Sequence, residues 1–336
     1  MATYYGTYGQ KVQYLASDPS DPQIGQVWYN STSAVLKVRA ATTVGTFAAG
    51  GNLNTGRVLL GSAGTQTAAL AFGGSTPYTD ATEKYNGTTW TNNPTGMNTS
   101  RGYLSGCGTQ TAALGATGYG PGAGSFPTSV ETFNGSTWSP VSGVATGRAK
   151  PGISGTQTAA LIFGGSSPFP GGTGVRSLSE SWNGSSWTTA PTLNTARFKS
   201  GSAGSQTSAL MFGGSIASPI FFGTGGDNTE TFNGTSWTSV ANLPHALTGV
   251  FGSNGTDTQS FAISVGNDPG GVTRTSLWNG TSWTANPNTL ATSRTSGGRS
   301  GNATAGLFFG GGSPPAFLTE EWTGPGVGET KTVTVT

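Results

Sequence analysis
Chemistry needs particular side chains within reach of one another, and this chain of 336 residues supplies few of them. It has one histidine, His245 in "NLPHAL", and one cysteine, Cys107. A histidine-ligated metal site needs two or three imidazoles. A Ser-His-Asp centre would rest on His245 alone, and no Gly-x-Ser-x-Gly turn is present to carry its nucleophile. Glycosidase chemistry needs two carboxylates at a set separation. Of the thirteen carboxylates, five recur at one position of a repeat, while Asp18, Asp21, Asp80, Asp227, Asp257 and Asp268 sit in scattered polar turns. "SDPSDP" lacks the spacing of a calcium loop. The expectation is a chain without enzymatic activity, metal or cofactor.

Bulk properties narrow the partners. Charged residues make up 8% of the chain and the net charge is +2, so no basic face is available to track a phosphate backbone, and nucleic acid is not expected as a partner. No run of about 18 apolar residues occurs, so membrane insertion is not expected. "MATYYGTYGQKVQ" lacks the charged head and apolar core of a signal peptide, and the expectation is synthesis in the cytoplasm. Glycine is abundant, 57 residues, yet 10% of the chain is aromatic, which a disordered segment would not carry. The aromatics are also regularly placed, which points to a folded all-β protein.

"YNGTTW", "FNGSTW", "WNGSSW", "FNGTSW" and "WNGTSW" end at Trp90, Trp138, Trp187, Trp237 and Trp283, spaced by 48, 49, 50 and 46 residues. Each contains a textual N-glycosylation acceptor, but Asn-Gly is also the preferred pair of a two-residue hairpin turn. The turn is the favoured reading, because nothing directs the chain through a secretory pathway. A second phrase recurs upstream, as in "GTQTAALAFGG" from Gly64, "GTQTAALIFGG" from Gly155 and "GSQTSALMFGG" from Gly204. Arg57, Arg101, Arg148, Arg197 and Arg294 open five of the units. One unit thus spells four short strands with turns between them in under 50 residues. A lone sheet of that size cannot bury its faces, and radial packing of several sheets solves the problem.

Six copies of the apolar run imply six blades. The last one reaches its aromatic at Trp322 but has no terminal tryptophan, whereas Phe47 precedes Arg57 by ten residues, the usual Trp-to-Arg interval. The strand around Phe47 is therefore expected to complete the last sheet and close the ring. Two residues before the third-strand aromatic stand Glu83, Glu131, Glu180, Glu230 and Glu320. The fifth unit lacks both charges, with Leu247 for arginine and Ser276 for glutamate, so the two are expected to pair within or between blades.

The Gly-Gly doublet, the later aromatic and the spaced tryptophan resemble kelch repeats over about residues 43 to 323. That resemblance implies a six-bladed kelch-like β-propeller with four-stranded blades. The chain departs from the pattern where the usual Tyr-Asp-Pro turn shortens to aromatic-Asn-Gly, and where "GATG" and "SVGN" replace Phe-Gly-Gly. The copper-dependent galactose oxidases, which carry kelch repeats, need a Cys-Tyr crosslink and several metal ligands that Cys107 and His245 do not supply.

The expected organisation is an amino-terminal hairpin module over residues 1–42, the propeller over 43–324 and a docking strand over 325–336. In the first, Val27 to Tyr29 and Val35 to Val38 flank a polar turn, and "WYN" and "LKV" resemble short amino-terminal modules of bacteriophage tail-fibre and other virion proteins. The repeats themselves are similar to kelch-like structural proteins of marine phages. "GETKTVTVT" alternates as a strand does and is expected to seek an edge on its own propeller or on a neighbouring subunit.

Between the Gly-Gly doublet and the third-strand aromatic the units differ most, and these loops carry Tyr78, Tyr119, Phe126, Phe169, Ile220, Phe221, Phe222 and Phe317. Equivalent loops of a propeller share one face, and exposed aromatics there suit stacking on carbohydrate or contact with protein. The alternative is that each ring folds back over its own blade. Together with the resemblance, this implies a virion protein such as a phage tail fibre or surface adhesin. It would contact other virion proteins through residues 1–42 and a host-surface glycan or protein through the loops, and homo-oligomerisation is compatible with that role. The alternatives are a capsid decoration or scaffold protein and, third, a glycan-processing enzyme.

Overall fold
Small residues open each repeat, and the computed structural model gives the reason. It describes residues 12–23, 25–41, 44–75, 77–120, 127–166, 174–216, 225–247, 249–251, 258–312, 317–326 and 328–333. The strand Gly61–Gly64 pairs with Ala69–Phe72 so that Gly61 faces Phe72, and a side chain on Gly61 would run into that ring. Gly152 against Phe163 and Gly201 against Phe212 repeat the arrangement. Every residue of the first two strands is buried, the third strand hides all but its third residue, and the fourth exposes its centre after a buried tryptophan. Burial that declines outward like this belongs to a sheet whose first strand is innermost.

The unit Phe47–Trp322 contains six four-stranded sheets of this kind. The first comprises Gly61–Gly64, Ala69–Phe72, Thr82–Tyr85 and Trp90–Asn92 in sequence order. The next four begin at Ser105–Gly108, Gly152–Gly155, Gly201–Gly204 and Gly249–Val250 and end at Trp138–Val141, Trp187–Ala190, Trp237–Val240 and Trp283–Asn286. In the sixth, Gly298–Gly301, Ala305–Phe309 and Thr319–Thr323 are followed by Thr46–Ala49 from the front of the chain. The Phe47 ring lies 4.8 Å from that of Trp322, so the expected closure is the one observed.

Adjacent sheets are stitched by the repeated words. Gln110, Gln157, Gln206 and Gln259 each donate to two backbone carbonyls of the preceding sheet, for example Gln157 to Ala113 at 3.1 Å and Phe133 at 2.6 Å. Gln66 does the same to Gly306 and Trp322, joining the first sheet to the sixth. Terminal tryptophans reach the same way: the Trp138 indole donates to Thr82 Oγ1 at 2.9 Å and its ring sits 4.7 Å from Phe72.

The Asn-Gly turns differ from the expected two-residue form. Each is a four-residue connection in which only the glycine is left-handed, such as Gly87 at φ 96°. The Asn86 Oδ1 accepts the N–H groups of Thr88 and Thr89, and the other four repeats do likewise. Asparagine is there for its side-chain acceptor rather than for a positive φ.

The two ends form one further unit, Met1–Thr46 with Thr323–Thr336, rather than two separate modules. Its sheet runs Gln13–Leu15, Val27–Asn30, Val35–Ala41 and Gly328–Thr332, with the first pair parallel. The carboxy-terminal strand therefore does find an edge, but the edge belongs to the amino-terminal hairpin and not to the propeller or a neighbouring subunit. Asp18 is the polar centre of this unit. Its carboxylate accepts from Trp28 Nε1 at 3.0 Å and Asn30 Nδ2 at 2.7 Å, and pairs with Lys37 Nζ at 2.7 Å. These bonds, that from Lys37 first, hold its pKa down at about 2.

Candidate functional site
The charged side chains of the repeat prove to be framework. Arg57–Glu83, Arg101–Glu131, Arg148–Glu180 and Arg294–Glu320 pair at 2.5 to 2.6 Å, and Arg197 pairs with Glu230. All ten residues are buried, and each pair joins the leading loop of a sheet to the third strand of the same sheet. The carboxylates also accept backbone N–H groups of that loop, from Asn54, Asn98, Ala145, Asn194 and Ala291. Burial pulls Arg148 down to about 10, against the opposing pull of Glu180. These groups are engaged with one another inside the sheets, and the nitrogens left over, Arg57 Nε, Arg101 Nη2 and Arg148 Nε, are themselves buried.

One residue beyond four of the five arginines, the backbone bridges to the residue that opens the variable loop. The pairs are Val58–Ser75, Gly102–Tyr119, Ala149–Ser166 and Phe198–Ser215. Two residues beyond the arginine come Leu59, Tyr103, Lys150, Lys199 and Ser296, all left-handed, with φ between 46° and 62°. Their backbones hydrogen-bond in series: Leu59 N–H to Ser296, Tyr103 to Leu59, Lys150 to Tyr103 and Lys199 to Lys150, after which Val250 donates to Lys199. A left-handed backbone is uncommon for residues other than glycine, and here the series of bonds from one sheet to the next holds it in place. The variable loops and this series thus share one end of the propeller, its axial mouth.

Two of the sequence-predicted loop aromatics meet there. Tyr119 lies 5.7 Å from Tyr78 and 6.3 Å from Tyr103, both edge-on. All three are half-buried, and burial followed by the neighbouring phenols pushes Tyr78 up to about 12. Phe317 is 43% exposed. Phe126, Phe169, Ile220, Phe221 and Phe222 lie outside the described residues. Trp90, Trp138, Trp237 and Trp283 are buried and Trp187 partly so, as repeat elements should be. Tyr103, Lys150 and Lys199 escape a reading based on residue identity. Their signal is positional, the second place after the repeat arginine.

The remaining candidates for chemistry lie apart. Cys107 is fully buried and burial alone raises its thiol to about 12, the opposite of an activated nucleophile. His245 borders a surface cleft of about 410 Å³ with Arg274 and Pro287, and no carboxylate is among the described residues lining it.

No family model matches the chain, and no curated protein sequence matches it. Its fold is similar to the solved structure of YjhT, a kelch-type β-propeller, with a TM-score of 0.65 and 14% identity over 86% of this chain and 97% of that one. At this identity the likeness establishes the β-propeller fold alone.

Proposed function
We propose that the chain is a non-enzymatic recognition protein whose loop-ringed mouth binds a host-surface glycan or protein. In this reading the sheet formed by its two ends attaches it to other virion proteins, as in a phage tail fibre. The observation that carries the reading is the convergence of Tyr78, Tyr103 and Tyr119 at the end of the propeller where successive repeats differ most. Aromatic rings beside variable loops on a rigid scaffold suit selective contact. The test is glycan-array and host-cell binding by the intact chain and by Tyr103→Ala and Tyr119→Ala. Loss of binding with an unchanged circular dichroism spectrum is expected. Undiminished binding by both variants would overturn the assignment of the mouth, and unchanged host adsorption of particles carrying them would favour decoration over adhesion.

A further inference from the structure
We propose that the centre of the mouth is an oxyanion-binding site built on Lys150 and Lys199. The two occupy consecutive places on the axial series of backbone hydrogen bonds, and both line a small, partly open cavity at the start of the innermost strands with Ser62, Ser105 and Ser200. None of the described residues around that cavity is a carboxylate. Glu131, Glu180 and Glu230, the glutamates of the surrounding sheets, are each bound to an arginine of their own.

Lys150 carries the argument. The residue is only 7% exposed and lines the cavity, and no hydrogen bond or ion pair of its ammonium is found among the described residues; the ammonium is not among the polar atoms sealed from solvent without a partner, so what surface it keeps is small. Burying a charge without a partner is costly, and perturbed groups of this kind cluster where they are used. The left-handed backbone that fixes its direction is a second local cost at the same residue. An anion held between the two lysines would compensate the first of these. The cavity volume is about 10 Å³, space for one water-sized atom. The ligand that fits is therefore an oxyanion that lowers one oxygen into the cavity while the rest stays in the open mouth.

The groups that face Lys150 set the pH dependence. Burial, and then the like charge of Lys199, bring its pKa down to about 7, and Tyr103 precedes it in the series. Binding an anion favours the protonated amine, so affinity falls as the pH is raised through about 7.

The inference does not depend on glycan recognition by the loops, and its test uses a different ligand. Sulfate, whose charge is constant over this range, is titrated calorimetrically into the full chain at fixed ionic strength from about pH 5.5 to 8.5. Saturable binding that weakens across that range is expected, with a loss of at least about tenfold in Lys150→Met. A competition arm with glucuronate asks whether the carboxylate of an acidic sugar takes the same place. Should Lys150→Met not fold, Lys199→Gln carries the test with a loss of the same sense. Absence of saturable sulfate binding, or equal binding by the folded variants, overturns the proposal. Either result leaves the glycan-array outcome of the tyrosine variants untouched.

Discussion

Five propeller sheets carry a buried arginine–glutamate pair, and the fifth places Leu247 and Ser276 in the same two positions. Both replacements are buried, and Leu247 packs with Val250, Trp278 and Trp283. The fifth sheet also differs at the mouth. Its second and third strands extend to six residues each and join through a tight turn in which Asp268 bonds Val272, where other sheets insert a variable loop. It nonetheless keeps the inter-sheet bonds of Gln259 and Trp283. The pair is thus dispensable to the fold provided both charges leave together, since a buried ion pair and well-packed neutral side chains can be close in stability while one orphaned charge cannot.

The largest expected effect comes from breaking that rule in a paired sheet. Arg148→Met leaves Glu180 buried and uncompensated, and a loss of about 3 to 5 kcal/mol is expected in denaturant unfolding. Converting the sheet to the fifth-sheet solution, Arg148→Leu with Glu180→Ser, should return most of that loss and end within about 2 kcal/mol of the parent. A double variant no better than the single one would mean that the fifth sheet owes its stability to something other than the joint exchange.

A middle-sized effect separates the pair from the inter-sheet staple. Gln157→Ala and Gln259→Ala each strip the donor from two carbonyls, at about 1 to 3 kcal/mol. If the staple works independently of the pair, the two losses should match in thermal and denaturant unfolding. A clearly larger loss for Gln259→Ala would show the unpaired fifth sheet leaning on its glutamine. The sixth sheet, with Ala303 at the glutamine position, already shows that the fold tolerates one omission.

The same contrast explains what was legible in the sequence. The Trp-to-Arg interval exposed the sheets because a propeller repeats one solution, and the ten residues between Phe47 and Arg57 exposed its closure. The joint absence at Leu247 and Ser276 exposed the ion pairs. The axial series stayed hidden because Leu59, Tyr103, Lys150, Lys199 and Ser296 share a backbone conformation and no chemistry, so comparison by residue type passes over them. The partner of Gly328–Thr332 stayed hidden for another reason. Alternation of threonine and valine specifies a strand but leaves its neighbour open, and here that neighbour lies almost a full chain length away. The asparagine turns were placed correctly but built differently, since Asn-Gly serves either as a left-handed pair or as an acceptor before a single left-handed glycine.

The smallest effect is expected where a charge pair is exposed rather than buried. Asp18 and Lys37 meet at 2.7 Å with the Asp18 side chain 40% accessible, so solvent screens what the propeller pairs keep. The Asp18 pKa is depressed from 3.8 to about 2. A carboxylate depressed in the folded state contributes stability that is fully present above its unfolded pKa and is lost as the pH falls through the folded one. The terminal sheet should therefore keep most of this contribution at pH 4, lose it steadily as the pH falls below 3.8, and retain little of it by about pH 2. The Trp28 indole N–H, which donates to the same carboxylate, reports the event directly in a proton NMR titration. A midpoint near 2 is expected in the parent, moving up toward 3.8 in Lys37→Met because the lysine is the largest cause of the depression. A parent midpoint already near 3.8 would mean that the three donors do not hold the carboxylate in solution. The exposed pair would then fall outside the comparison, and coupling between charges would be a property of the buried sheets alone.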